Sequence, residues 1–138
     1  MAFTAFAKFS GIDGGSTDSQ HPKWSEVLGF RWGVSGIRNS WEGSDRQGRV
    51  QVNDFSIVKE LDNASPDLFT KCAVGEKVKE VTVEFVEKLP GKQNWQRRFM
   101  WYRFETCLIT SVSPGGSSGD RPVEEVSVTF EKATYKQG

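Results

Sequence analysis

The stretch Trp24-Ser25-Glu26-Val27-Leu28-Gly29-Phe30-Arg31-Trp32-Gly33-Val34 decides the fold class. Its even positions carry Trp24, Leu28, Phe30, Trp32 and Val34, with Glu26 the charged exception. Its odd positions carry Ser25, Val27, Gly29, Arg31 and Gly33, mostly small or polar. Apolar groups at every second position lie on one side of an extended chain. The pattern predicts one strand from Trp24 to Val34 with a heavily buried even face. Gly29 and Gly33 leave room on the other face for a bend or another backbone.

Working outward, Phe3 to Phe9 reads as a short first strand, followed by a turn-rich loop from Ser10 to Lys23. Downstream, Ser35 to Gly48 is polar and glycine-bearing, with Trp41 its one large apolar residue. It reads as a long loop, and such loops are usually functional or mobile. Arg49 to Leu61 reads as a second long strand. Its apolar parity slips between Val50 and Val52 on one side and Phe55 and Ile57 on the other. The slip, at Asn53-Asp54, predicts a β-bulge that bends the strand.

One helix is predicted. Ser65 is a good N-cap, Pro66 suits the first helical position, and Asp67 complements the positive helix start. Leu68 with Cys72 and Phe69 with Ala73 form an apolar stripe, and Gly75 is placed to end the helix in a left-handed cap. Val81, Val83 and Phe85 alternate as another half-buried strand. Leu89-Pro90-Gly91-Lys92 is a turn. Trp95 to Val112 is one bent strand or two joined ones, and Pro114 to Gly119 a flexible loop. Val126, Val128 and Phe130 mark the last strand, which extends toward Tyr135. With no internal repeat and no boundary, residues 1–138 read as one domain. The class is mainly β: an antiparallel β-barrel or tight sandwich with one α-helix packed on its side and long loops.

The chain has 138 residues and a mass of 15.5 kDa. Eighteen Lys and Arg balance eighteen Asp and Glu. A zero balance argues against a protein built to neutralise nucleic-acid phosphates, and it does not oppose self-association. Fourteen glycines, ten phenylalanines and five tryptophans favour strands and tight turns. No apolar run approaches the roughly 18 residues of a membrane span, so membrane insertion is not expected. The N-terminus lacks the basic and apolar blocks of a signal peptide. It predicts a cytoplasmic protein, with export by a route without a cleaved signal left open. Cys72 and Cys107 form no CxxC pair and read as reduced, apolar thiols.

Little in the sequence points to catalysis. His21, the only histidine, sits in a glycine-rich loop with no nucleophile elbow elsewhere. It reads as a loop histidine bonded to backbone. Ser56-Ile57-Val58-Lys59 matches S-x-x-K on letters alone, without its partner motifs. Gly11 to Asp18 lacks the lysine of a phosphate-binding loop and the acid spacing of a calcium loop. Glu124 and Glu125 point to opposite faces of a strand, so they cannot act together on one substrate. No catalytic residue, metal ligand or cofactor site is assigned.

The most unusual stretch is Trp95-Gln96-Arg97-Arg98-Phe99-Met100-Trp101-Tyr102-Arg103-Phe104. Both parities carry large apolar groups, so one face can fill the core while the other needs a cover. The cover is the helix, another strand or a neighbouring subunit. Aromatics interleaved with arginines also suit single-stranded nucleic acid, which the zero net charge disfavours.

Taken together, several segments resemble the Hcp family, the haemolysin-coregulated proteins of the type VI secretion tube. They begin with Gly15-Ser16-Thr17-Asp18, His21, Glu26-Val27 and Phe30-Arg31-Trp32-Gly33-Val34-Ser35. Next come Asp54-Phe55-Ser56-Ile57-Val58-Lys59, Asp62, Ala64-Ser65-Pro66-Asp67-Leu68, Cys72-Ala73 and Gly75. The last are Ser111-Val112-Ser113, Gly115-Gly116, Asp120-Arg121-Pro122 and Glu125-Val126-Ser127-Val128-Thr129-Phe130. They run in the family's order over nearly the whole chain. The resemblance implies a β-barrel flanked by a helix, and six copies closing into a ring that stacks into a tube. It implies export by a contractile sheath, a spike protein of the VgrG type at the tip, and effector proteins in the lumen. It carries over no catalytic or metal residue. The run from Trp95 to Phe104 departs from the more aliphatic family segment.

A ring needs a heterologous interface whose rotation closes. The candidate assembly residues are Trp41, Asn53, Asp54, Trp95, Arg97, Arg98, Trp101 and Tyr102. Two other readings stand beside this one. A phage-type tail tube protein shares the architecture. A monomeric β-barrel module would bind carbohydrate or single-stranded nucleic acid by stacking on Trp95, Trp101 and Tyr102.

Overall fold

The computed structural model describes residues 3–37, 49–89 and 95–138. Its strands are β1 (Thr4–Phe9), β2 (Ser25–Val27), β3 (Gly29–Arg31), β4 (Val34–Ile37), β5 (Arg49–Val52), β6 (Phe55–Glu60), β7 (Lys77–Lys88), β8 (Gln96–Gly115) and β9 (Val123–Gln137). The helix α1 spans Ser65–Val74. Seven strands form one antiparallel sheet in the order β2-β1-β7-β8-β9-β6-β3. Its two outer strands, β2 and β3, are separated in the chain only by Leu28. The Leu28 N–H donates to the Val58 carbonyl on β6 at 2.7 Å. The chain therefore steps from one edge of the sheet to the other at a single residue. That step curls the sheet into a nearly closed barrel.

Alternation fills the barrel. Ala5 and Ala7 lie opposite Phe85 and Val83, so small residues of β1 make room for bulkier ones of β7. Tyr102 and Phe104 of β8, Val126 and Val128 of β9, and Phe55 and Ile57 of β6 complete the buried cluster. The helix starts one residue earlier than predicted, with Ala64 at the cap position, because the Ser65 side chain is turned to other partners. Leu68 is fully buried and Cys72 half-buried, whereas Phe69 is 55% exposed. Only one of the two expected apolar pairs thus faces the barrel, where α1 lies against β8. Gly75 ends the helix at φ 71°, as its placement predicts.

The opening stretch needs correction. Trp24 to Val34 is not one strand but parts of β2, β3 and β4. Its even face is not heavily buried: Leu28, Phe30 and Val34 are 55%, 41% and 61% exposed, while Ser25 and Val27 are buried. A chain that changes partner at Leu28 cannot keep one face inward along its length. Trp32 still packs edge-on against Phe104, with ring centres 5.1 Å apart.

Asn53-Asp54 is not a bulge within one strand. It separates β5, which pairs with β4 in a two-stranded sheet, from β6 in the barrel. The parity slip marks a change of sheet, and Ser35 belongs to β4 rather than to a loop. β8 is a single strand of 20 residues that includes Pro114 and Gly115. Register shifts between Phe85 and Val86 on β7 and between Ile109 and Ser111 on β8 interrupt its pairing.

Candidate assembly surface

Adjacent residues of a strand point to opposite faces, and on β8 this separates Trp101 from Tyr102. Trp101 points outward, with the guanidinium of Arg98 5.4 Å and that of Arg103 5.0 Å from its ring centre. Arg98 also donates to Glu84 of β7 at 3.0 Å, and the more exposed Arg97 pairs with Glu87. Trp95, just before β8, is 54% exposed. These four candidates share one end of β8. Tyr102 does not join them. It is 7% exposed, packs against Phe85, Trp32 and Tyr135, and burial pushes its hydroxyl pKa up to about 12. A run with apolar groups on both parities does not reveal which parity turns inward.

Asn53 and Asp54 are exposed, and they form a second patch. The Asn53 carbonyl accepts from Trp32 Nε1 at 3.1 Å, and Asp54 accepts from Thr110 Oγ1 at 2.9 Å. With Arg31, Gly33, Ser56 and Ser127 they line a cleft of about 350 Å³. Thr110 lies roughly 30 Å along β8 from Trp101 at the usual strand rise. Trp41 lies outside the described residues.

Two polar clusters were not expected from the sequence. In the first, Lys59 and Glu124 sit directly opposite each other on β6 and β9, both buried. Their ion pair is 2.6 Å long, and Lys59 reaches Asp62 at 2.7 Å. Ser65 donates to Glu124, and Asp62 accepts from Gly15 N–H and Ser25 Oγ. Burial alone would raise the Asp62 pKa, but Lys59 and these donors hold it below 3.8. The signal was available: Lys59 shares the inward parity of Phe55 and Ile57, and Glu124 that of Val126 and Val128.

In the second cluster, His21 is 3% exposed and stacks flat on Phe6 at 4.3 Å. Contrary to the expectation of a ring bonded to backbone, its two nitrogens meet side-chain carboxylates. Nδ1 lies 2.8 Å from Asp18 and Nε2 2.8 Å from Glu84. Burial opposes a charged ring, but the bonds to Glu84 and Asp18 outweigh it and hold the His21 pKa above 6.5. Among the described residues no group of three or more His, Cys, Asp and Glu is arranged to hold a metal.

A nearly closed antiparallel barrel with one helix against its wall is the fold of a known class of secretion protein. The sequence profile described as "Type VI secretion system effector, Hcp" matches residues 6–137, and the chain belongs to the Hcp family. Protein hcp1 of Pseudomonas aeruginosa is 31% identical over 132 residues, 94% of this chain and 80% of that protein. Among solved structures, Hcp1 from Salmonella typhimurium is 27% identical with a TM-score of 0.79, covering 99% of this chain and 87% of that one. A structure described as a type six secretion system protein is also 27% identical, with a TM-score of 0.87 over 99% of this chain and 90% of that one.

Proposed function

We propose that the chain is a structural subunit of the type VI secretion tube. Copies close into a hexameric ring and rings stack into a tube. Sheath contraction exports it, with effector proteins carried in the lumen. The observation that best supports this reading is the likeness to a type six secretion system protein over 99% of this chain. In this reading the whole of residues 1–138 is one barrel domain without enzymatic activity. Its partners are further copies of itself, a VgrG-type spike, the contractile sheath and effectors, with no nucleic acid and no membrane insertion. It is made in the cytoplasm and secreted without a cleaved signal peptide.

A closed ring takes two different patches on each subunit. The patch of Trp95, Arg97, Arg98 and Trp101 and the patch of Asn53 and Asp54 are assigned to such contacts, with Trp41 a third candidate. The rival stacking module loses support, because Tyr102 is buried and turned away from Trp101. Light scattering after size exclusion, at two concentrations, tests the proposal. A mass near six subunits, with rings in negative stain, is expected. A monomer at both concentrations would overturn it.

A further inference from the structure

The loop between β1 and β2 carries His21 onto the outer wall of the barrel. Phe6 of β1 lies under the ring, Trp24 meets it edge-on at 4.9 Å, and solvent is nearly excluded. Both ring nitrogens face carboxylate oxygens at 2.8 Å, Asp18 on the loop and Glu84 on β7. A neutral imidazole has one N–H and one lone pair. In that form one nitrogen would aim its lone pair at a carboxylate oxygen. Only the imidazolium, with two N–H donors, satisfies both contacts. The charges agree, since two carboxylates face two cations, His21 and the Arg98 that donates to Glu84. Among the described residues, the other ionisable groups around this wall include Lys8 of β1, on the same face as Phe6 and paired with Asp13, and Glu26 of β2, opposite Phe6 in the sheet; Lys88 at the end of β7, Glu60, Asp62 and Arg121 border the same cleft as Asp18.

The cluster also joins separate segments. Asp18 accepts from the Gln96 amide at the start of β8, and Glu84 accepts from Arg98 two residues further on. One proton on His21 therefore sits where the loop, β7 and the first residues of β8 meet. We propose that this proton is a catch: it fastens residues 16–24 of the loop and, through the contact of Gln96 with Asp18, the first residue of β8 to the barrel wall. Its loss as pH rises releases both while the barrel interior stays folded. The interior is spared because its apolar cluster contains neither these groups nor any residue of 16–24, while Ile12 stays in it. The loop also lines, with Leu28 and Leu61, a cleft of about 620 Å³ at the barrel seam, so release reshapes that surface.

The chain has a single histidine, so one imidazole signal reports the site without assignment. Nitrogen-15 NMR of the full chain from pH 5 to 10 reads the protonation of both ring nitrogens. Hydrogen exchange, corrected for intrinsic rates, reads the protection of loop and β8 amides. The expected result is a midpoint above 6.5 with both nitrogens protonated below it, and protection of residues 16–24 and 96 lost through that midpoint. Glu84→Gln should lower the midpoint, and its fold is checked by retained protection of β9. A midpoint at or below 6.5, or a midpoint unmoved by Glu84→Gln, would overturn the imidazolium. A raised midpoint with unchanged loop protection would overturn the catch.

Discussion

Replacing Lys59 by Met tests the account of the barrel's polar end most directly. The Lys59 ammonium donates to Glu124 at 2.6 Å, to Asp62 at 2.7 Å and to the Glu60 carbonyl at 3.1 Å. All three of its protons are used, and the side chain is wholly buried. Methionine keeps most of the stem and removes the charge. Glu124, 1% exposed, is then left with the Ser65 hydroxyl as its remaining donor. Removing one partner of a buried ion pair costs about 3–5 kcal/mol, because the other charge stays buried and uncompensated. Folded domains of this kind hold about 5–15 kcal/mol in all, so the loss is a large part of the total. In urea, with a slope of about 1.5 kcal/mol/M, the midpoint should fall by about 2–3 M. Protomer concentration is held fixed, since association would add to apparent stability. Lys59→Met combined with Glu124→Leu removes both charges and should recover much of the loss. A single-variant loss under about 1 kcal/mol, the size of a surface pair, would refute the reasoning. So would a double variant no more stable than the single one.

Two further outcomes follow from the same structure. The carboxyls of Asp62 and Glu84 are held below their ordinary 3.8 and 4.5, so they stabilise the fold above those values and cease to do so as pH falls through the lowered ones. Asp62→Asn should be less stable than the parent chain at pH 6, with the gap in urea midpoint closing toward pH 3; a pH-independent gap would contradict this. Burial pushes the Cys107 thiol up to about 11 and leaves it unexposed, whereas Cys72 is half-buried. A thiol reagent at pH 8 should therefore label Cys72 in the native chain, and both cysteines in denaturant; equal native labelling would contradict the burial of Cys107.

What could be read from the sequence was local. Val81, Val83 and Phe85, and later Val126 and Val128, announce barrel walls because alternation needs only neighbours in the chain. Pro66 and Gly75 bracket the helix for the same reason. What escaped depends on pairing between distant segments. The pattern from Trp24 to Val34 is continuous, but the partner changes from β1 to β6 at Leu28, and the pattern holds no sign of that exchange. The carboxylate partners of His21 escaped because Asp18, Glu84 and Arg98 come from a loop and two strands that only the register of β7 and β8 aligns. Of the candidate assembly residues, Trp95, Arg97, Arg98 and Trp101 lie at one end of β8, and Asn53 and Asp54 form a separate patch.

The outer face of β8 has an order of its own. Arg98 is tied to Glu84 and Arg103 lies 3.8 Å from Glu80, both acids of β7, while Arg97, on the alternate parity, pairs with Glu87. Between Arg98 and Arg103 stands the half-buried ring of Trp101. The arginines thus have partners within their own chain, and the aromatic ring is what the surface still offers to a neighbour. That explains how an arginine-rich run fits a chain of zero net charge without demanding a nucleic acid. In the proposed assembly, the basic groups fix the frame of an aromatic contact by pairing across strands, since a tryptophan held between two guanidiniums loses little freedom when something packs against it. The same strand turns Tyr102 and Phe104 into the core, so the face that stabilises the barrel and the face assigned to assembly alternate residue by residue along β8.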